Sequence, residues 1–172
     1  MQIARIVVEF LRVEDAGFEA HDLRDLGVGG TVQPLCMAER GVNGLALLQD
    51  APDQPLVGIA TASDDGTAHV WFPYSTYQAP TIYRGHHGKV NAVASLPQIP
   101  YYGPSVASAS EDQTVQIWSF RTYNANEASI VYKEHQAPVR AIASSPVMGD
   151  HRIVSGDVYG LVHLWTLDYS YQ

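Results

Sequence analysis

Three tryptophans divide the sequence at equal intervals. Trp118 follows Trp71 by 47 residues, and Trp165 follows Trp118 by another 47. Each Trp is preceded by two apolar residues with one polar residue between them, at 68–70, 115–117 and 162–164. Such alternation places the apolar side chains on one face of a β-strand. A repeat of this length constrains the fold more than any other feature of the chain.

Each interval contains turns and further strands. Turn residues stand before every Trp-containing strand, at 64–67, 111–114 and 158–161, where Gly, Asp and Thr favour a tight hairpin. The strands predicted around them lie at 56–63, 106–110 and 153–156, at 42–46, 90–94 and 139–143, and at 80–83 and 129–132. Four short strands repeated at this period predict the blades of a β-propeller.

The repeated units resemble WD40 repeats, which are marked by a Gly-His pair and a Trp-Asp pair. Gly85 and His86 match the first pair, and His135 matches it with Glu134 in place of the glycine. The Trp is kept three times, although no Asp follows it. The resemblance covers residues 41–172 and therefore about three quarters of the chain.

The resemblance implies an all-β protein, a WD40-type β-propeller segment of three four-stranded blades with a degenerate partial blade at the N-terminus. The expected boundaries are 1–40 for the partial blade, 41–84 and 85–133 for two repeats with linking strands, and 134–172 for a third repeat truncated before its outer strand. In the first segment, the spacing of apolar residues fits a helix as well as a strand, and its β-branched content favours the strand.

The resemblance also implies a buried network in each blade that joins a His, a Ser or Thr, an Asp and the Trp indole. Buried imidazole and indole groups need hydrogen-bond partners, which is the physical reason for such a set. The matching residues are Thr61, Asp65 and Trp71, then His86, Ser108, Asp112 and Trp118, then His135, Ser155 and Trp165. The first unit lacks the His, and Tyr159 stands at the Asp position of the third. We expect the two outer units to be less rigid than the middle one.

Two surfaces are candidates for partner binding. In WD40 repeats, the side chains that flank the first strand and the hairpin turn commonly contact partners, and the matching positions are Asn43, Asp64, Lys89, Asn91, Glu111 and Arg140. On the opposite face, Tyr101 and Tyr102 lie in a loop at 97–104 that three prolines stiffen. Tyr is enriched where interfaces form. The alternatives are a solvated loop rim for the first surface and rings that cover blade edges for the second.

Composition excludes several classes of function. The formal charge of −8 disfavours binding to nucleic acid or to anionic lipid, because both require clustered Lys and Arg. Cys36 is the only cysteine, so no internal disulfide forms, and we expect an intracellular location, cytoplasmic or nuclear. No apolar run is long enough for a membrane span. The histidines lack the spacing of metal ligands, and no catalytic or cofactor motif is present.

These observations predict a non-catalytic protein–protein interaction scaffold that is a subunit or part of a larger assembly. The alternatives are an accessory propeller region of an enzyme complex and a reader of modified peptides. Closed propellers have four to eight blades, so we expect the three units to leave two apolar faces exposed. A longer chain, another subunit or self-association would then complete the ring.

Overall fold

The computed structural model describes residues 40–49, 56–73, 79–99, 103–121, 130–145, 147 and 149–167. Within these ranges the chain forms β-strands, turns and connecting segments and no helix, so the expected all-β class is confirmed. The predicted N-terminal partial blade lies outside the described residues, apart from Arg40.

The described residues contain eleven strands in three antiparallel sheets. The first sheet consists of β1 (Val42–Gln49), β2 (Leu56–Ser63), β3 (Ala68–Trp71) and β4 (Thr81–Tyr83), in that order. The second consists of β5 (Val90–Ile99), β6 (Gly103–Ser110), β7 (Val115–Ser119) and β8 (Ile130–Tyr132). The third consists of β9 (Val139–Ser144), β10 (Arg152–Asp157) and β11 (Val162–Thr166). We call these sheets the first, second and third blades.

The hairpin between the second and third strands of each blade has the same backbone geometry. Its third residue has a positive φ in every blade: 84° at Gly66, 70° at Gln113 and 84° at Gly160. A left-handed residue lets the tight turn close, which is why Gly stands there twice. In the second blade a Gln adopts this conformation, which L side chains rarely do.

The core consists of two clusters, each between neighbouring blades, and β5 packs against both β1 and β9. In the first cluster, Ala60, Ala68 and Val70 of the first blade meet Val93 and Trp118 of the second. Small side chains on one face allow the two sheets to approach closely. The second cluster repeats the arrangement between the second and third blades, with Leu96, Ala107, Ala109, Val115, Ile117, Val139, Ile153 and Leu167.

Several strands are longer than the sequence predicts, and β1, β5 and β6 differ most, since they cover Val42–Gln49, Val90–Ile99 and Gly103–Ser110. β5 continues to Ile99, which pairs with Gly103 of β6, so Pro97 and Pro104 lie within strands and the loop expected at 97–104 is shorter than predicted. The described part of the third blade has three strands, and its outermost one is β11.

Candidate functional site

The second blade holds the four network residues together. His86 Nδ1 lies 2.8 Å from Asp112 Oδ2, and His86 Nε2 lies 2.8 Å from Ser108 Oγ. The Trp118 indole N–H donates to the same Ser108 oxygen over 3.2 Å. The Asp112 carboxylate can only accept, so Nδ1 of His86 carries the proton of this hydrogen bond. In a neutral imidazole Nε2 then accepts a hydrogen bond from the Ser108 hydroxyl. The tautomer of His86 is thus assigned from its two partners. The chain of bonds connects the loop before β5 with three points on the blade.

Asp112 is held in its charged form. Burial alone would raise its pKa, but hydrogen bonds from His86, Thr114 and the His87 backbone outweigh burial. The pKa of Asp112 therefore lies far below its ordinary value. The carboxylate is thus a permanent acceptor at neutral pH, and it anchors both the imidazole and the hairpin turn.

Ser108, His86 and Asp112 have the order of contacts of a hydrolytic triad, but their surroundings are structural. A nucleophilic hydroxyl must meet a substrate carbonyl. Ser108 is completely buried, and its oxygen already accepts the indole N–H. The geometry therefore holds the blade together and offers no site for acyl transfer at this serine.

The third blade contains a complete network that includes a residue missed by position matching. His135 Nε2 lies 2.7 Å from Ser155 Oγ, and the Trp165 indole N–H donates to that oxygen over 3.3 Å. The acidic partner of His135 is Asp157, whose Oδ2 lies 3.3 Å from Nδ1. The expectation of an incomplete set in this blade is therefore corrected.

Tyr159 occupies the position at which the WD40 resemblance implies an Asp, and Asp157 lies two residues before it. Its Oδ1 accepts the backbone N–H groups of Tyr159 and Leu161 over 2.9 and 3.0 Å. Burial would raise the pKa of Asp157, but His135 and these N–H groups lower it below its ordinary value. One carboxylate thus caps the turn and orients the histidine. Tyr159 itself is exposed.

The first blade contains a smaller network. The Trp71 indole N–H donates to Thr61 Oγ1 over 3.1 Å. Asp65 accepts the backbone N–H and the hydroxyl of Thr67 over 2.8 and 2.5 Å. His69 Nε2 lies 2.7 Å from Thr67 Oγ1, so a histidine contacts this network from β3. The described residues of this blade thus place Thr61 with Trp71 and Asp65 with Thr67.

Stacked rings connect neighbouring blades. Tyr83 of β4 lies parallel to Trp118 of β7 with centroids 4.7 Å apart, and Tyr132 of β8 stacks on Trp165 of β11 at 4.4 Å. Burial, helped by the charge of Asp112, raises the pKa of Tyr83 to about 12. Its hydroxyl stays neutral and donates to Gln116 Oε1. Each pair ties an outer strand to the next blade.

Six of the residues predicted to bind partners lie where the first strands of the blades begin and in the turns and the loop beside them, at the second position of β1, β5 and β9 or in the segments at 64, 89 and 111. Asp64 lies 3.4 Å from Lys89 Nζ, and Glu111 lies 3.8 Å from Arg140 Nη2. The hydrogen bond from the Asn43 amide lowers the pKa of Asp64 below its ordinary value, and the Lys89 ammonium lowers it further. We call Asn43, Asp64, Lys89, Asn91, Glu111 and Arg140 the charged row.

The two asparagines of the charged row also join the blades, which the sequence interpretation missed. Asn43 Nδ2 donates to the Val90 carbonyl over 2.9 Å, and Asn91 Nδ2 donates to the Val139 carbonyl over 2.7 Å. Each Asn follows the first Val of an inner strand and contacts the first Val of the next. That shared position was the one available signal. Arg140 occupies it in the third blade and contacts Asn91 Oδ1 at 3.4 Å.

The remaining predicted residues lie elsewhere. Tyr101 and Tyr102 fall outside the described residues. Among the described residues, no cluster of three or more His, Cys, Asp or Glu side chains is arranged to hold a metal ion. In the same ranges there is no helix long and apolar enough to cross a membrane.

The geometry defines blades of the β-propeller class, each with an inner strand, a Trp-containing third strand and a buried hydrogen-bond network. Residues 35–71 and 78–119 match the family model described as WD domain, G-beta repeat, so the chain contains WD40 repeats. WD40 repeats generally serve as scaffolds for protein interaction. A segment of 68 residues is 38% identical to the Nuclear distribution protein PAC1 of Gibberella zeae, covering 37% of this chain. The chain matches about 15% of the length of that relative.

Proposed function

We propose that this chain is a non-catalytic scaffold for protein–protein interaction, and that it acts inside the cell as a subunit or part of a larger assembly. The presence of WD40 repeats supports the scaffold role. The single cysteine supports a reducing, intracellular compartment. The observation that carries the proposal is the charged row, which places two acid–base pairs at adjacent blade junctions.

The ion pairs of the charged row are weak enough for a protein partner to replace them. Asp64 with Lys89 and Glu111 with Arg140 are partly exposed pairs at 3.4 and 3.8 Å. Such surface pairs contribute about 0–1 kcal/mol each. A protein partner with acidic and basic groups at matching intervals therefore replaces them at small cost and gains charge-assisted hydrogen bonds.

Tyr101 and Tyr102 provide a second binding surface under this proposal. Its support is the sequence alone: two adjacent tyrosines in a segment with Pro97, Pro100 and Pro104. Stiffening by proline lowers the entropy lost when a loop becomes ordered on binding.

The test compares captured proteins for three variants of the full chain. Lys89→Glu with Arg140→Glu reverses both cations of the charged row, and Tyr101→Ala with Tyr102→Ala removes the second surface. Lys133→Glu is the matched control, because Lys133 is an exposed cation outside the row. Proteins bound by the wild type in cell extract are identified, purified and titrated against each variant.

We expect at least one partner to lose about tenfold or more in affinity with the row variant, equivalent to about 1.4 kcal/mol, and to bind the Lys133→Glu control normally. A partner lost only with the tyrosine variant would assign binding to the second surface. If every partner binds all three variants as tightly as the wild type, neither surface has the proposed role.

A further inference from the structure

The hairpin turn between β10 and β11 is apolar at two positions where the turns of the other blades are acidic. Counted from the residue with positive φ, Val158 of the third blade matches Asp64 of the first and Glu111 of the second. Tyr159 matches an Asp in both blades, at positions 65 and 112. We call Val158 and Tyr159 the apolar turn. The third blade thus has an apolar pair where each of the other blades has an acidic pair.

The position of the network carboxylate makes this change possible. In the second blade, Asp112 contacts His86 and also accepts a backbone N–H of its own turn, so an acid is required there. In the third blade, Asp157 contacts His135 and accepts the backbone N–H of Tyr159. The side chain at position 159 is therefore not needed in the network, and that of Tyr159 is 85% exposed.

The position of Val158 stays accessible when a following blade is present. The side chains of Asp64 and Glu111 are 37% and 35% exposed, although a following blade packs against the sheet of each. Val158 is 42% exposed, which is a similar fraction. Its exposure is therefore a property of this turn position and does not depend on whether a further blade packs against the third one.

The apolar turn continues the charged row. The Val158 N–H donates to the Pro138 carbonyl over 3.0 Å, as the Glu111 N–H donates to the Lys89 carbonyl over 2.9 Å. Pro138 lies directly before β9, and Arg140 of the charged row is the second residue of that strand. The hydrogen bond therefore holds the apolar turn beside the strand that carries Arg140.

Arg140 is available to a partner carboxylate. Among the described residues, its polar contacts are with Glu111 at 3.8 Å and with Asn91 at 3.4 Å, and its side chain is 57% exposed. A guanidinium group has five N–H donors in a planar fork that matches a carboxylate. A partner carboxylate can therefore bind Arg140 with better geometry than Glu111 does.

The ion pairs of the charged row supply little affinity by themselves, because exposed pairs are screened by water and salt. Most of the binding energy at protein interfaces comes from a few residues, and Tyr is enriched among them. The Tyr159 ring offers a large, rigid apolar surface with a polar tip. The apolar turn therefore provides the apolar contact that the charged row lacks.

We propose that the apolar turn and Arg140 together form a docking site for a segment of a partner protein that carries an acidic residue close to an aliphatic one. The carboxylate of the segment pairs with the guanidinium of Arg140, and the aliphatic side chain packs against Val158 and the Tyr159 ring. This inference rests on the proposed scaffold function and names the chemical class of its partner.

The test begins with a library of random peptides displayed on phage and selected on the immobilised full chain. Enriched peptides are synthesised with a fluorescent label and titrated against the wild type by fluorescence anisotropy. We expect the enriched sequences to share an acidic residue close to an aliphatic one. Enrichment of no peptide, or of peptides without an acidic residue, overturns the proposal.

Three variants assign the bound peptides to this site. Val158→Ser with Tyr159→Ser removes the apolar surface without adding charge, and Arg140→Glu reverses the cation. Each is expected to weaken peptide binding about tenfold or more. Val147→Ser is the matched control, because Val147 is 60% exposed in the same blade but lies between β9 and β10, and we expect it to bind like the wild type. Circular dichroism verifies that each variant is folded.

Peptides that bind the double Ser variant or Arg140→Glu as tightly as the wild type overturn the docking site. Equal weakening by Val147→Ser overturns it too, because the effect would then not be specific to the apolar turn. The scaffold role is judged separately, by the proteins captured from cell extract. A captured partner that is lost with Lys89→Glu and Arg140→Glu but binds the double Ser variant normally would support the scaffold and refute the docking site.

Discussion

Each blade depends on a few buried polar residues, and the second blade concentrates them at Ser108. Its oxygen contacts the His86 imidazole and the Trp118 indole in an environment without water contact. A buried donor that loses its partner costs more than a hydrogen bond contributes, because its desolvation is no longer compensated. The stability of a blade therefore depends strongly on single buried polar residues such as Ser108.

Ser108→Ala is expected to lower the free energy of unfolding by about 2–4 kcal/mol, because the His86 imidazole loses its hydrogen-bond donor and the Trp118 indole N–H loses its acceptor. Thr61→Val in the first blade is the matched comparison, because Thr61 accepts the indole N–H of Trp71 and no histidine of the described residues contacts its hydroxyl. We expect it to cost about 1 kcal/mol. Urea unfolding of both variants measures the difference, and equal losses would contradict the role given to His86.

The depressed pKa of Asp112 predicts sensitivity to acid. A carboxyl group whose pKa is lowered in the fold contributes stability above its unfolded pKa of about 3.9, and this is lost as the pH falls toward the folded value. The free energy of unfolding should therefore decrease between about pH 5 and pH 2. Asp112→Asn is expected to be less stable at neutral pH but to show a shallower decrease. Asp157→Asn should behave similarly, and slopes identical to the wild type would refute this assignment.

Turn residues with positive φ give a reciprocal prediction. Gly160 has no atom within 4 Å of the position where a Cβ would lie, so Gly160→Ala tests the backbone alone. We expect a loss of about 1 kcal/mol from the left-handed conformation. Gln113→Gly should stabilise the second blade by up to about 1 kcal/mol for the same reason. Thermal unfolding of both variants measures these opposite changes in stability. Stability changes of the same sign would show that packing and not the backbone φ controls these turns.

At the scale of strands and blades, the junctions are fixed by three kinds of contact. Apolar side chains form the two core clusters, Tyr83 and Tyr132 stack on the Trp of the following blade, and Asn43 and Asn91 bridge the inner strands. The apolar clusters supply most of the free energy of packing between blades, because they remove apolar surface from water. The directional contacts set the register of one blade against the next.

Asn91→Ala is expected to destabilise the protein by about 1–3 kcal/mol, because it removes the buried hydrogen bond that the Asn91 amide donates to the Val139 carbonyl. Asn43→Ala removes the equivalent bond at an exposed position and should cost less than about 1 kcal/mol. Hydrogen exchange measures the effect locally: Asn91→Ala should speed exchange in β5 and β9. Unchanged exchange in those strands would show that the amide is not a bridge.

At the scale of the whole molecule, the described part of the chain is a row of blades whose outer members keep apolar side chains exposed. Leu45 of the first blade is 65% exposed, and Val162 and Leu164 of the third blade are 64% and 66% exposed. Their counterparts Val93, Val115 and Ile117 lie in the two core clusters between blades. Burial of an apolar position therefore depends on whether a neighbouring blade packs against it.

The sequence alone determined the fold class and most of the strands. The even spacing of the three Trp and the period-2 alternation before them fix which side chains share a sheet face, because alternate residues of a strand point to opposite sides. The resemblance to WD40 repeats implied the network of Ser108 with His86 and Asp112, and the matching positions in the second unit located these residues.

The tertiary structure decided what position matching could not. Asp157 replaces an Asp expected two residues later, because a carboxylate needs only to reach the imidazole and the turn N–H groups, whichever backbone position carries it. The bridging role of Asn91 depends on a carbonyl 48 residues away that becomes a neighbour only when two blades pack. The exposure of Leu45 and Leu164 likewise follows from which faces find a partner, and this depends on packing between blades and not on local pattern.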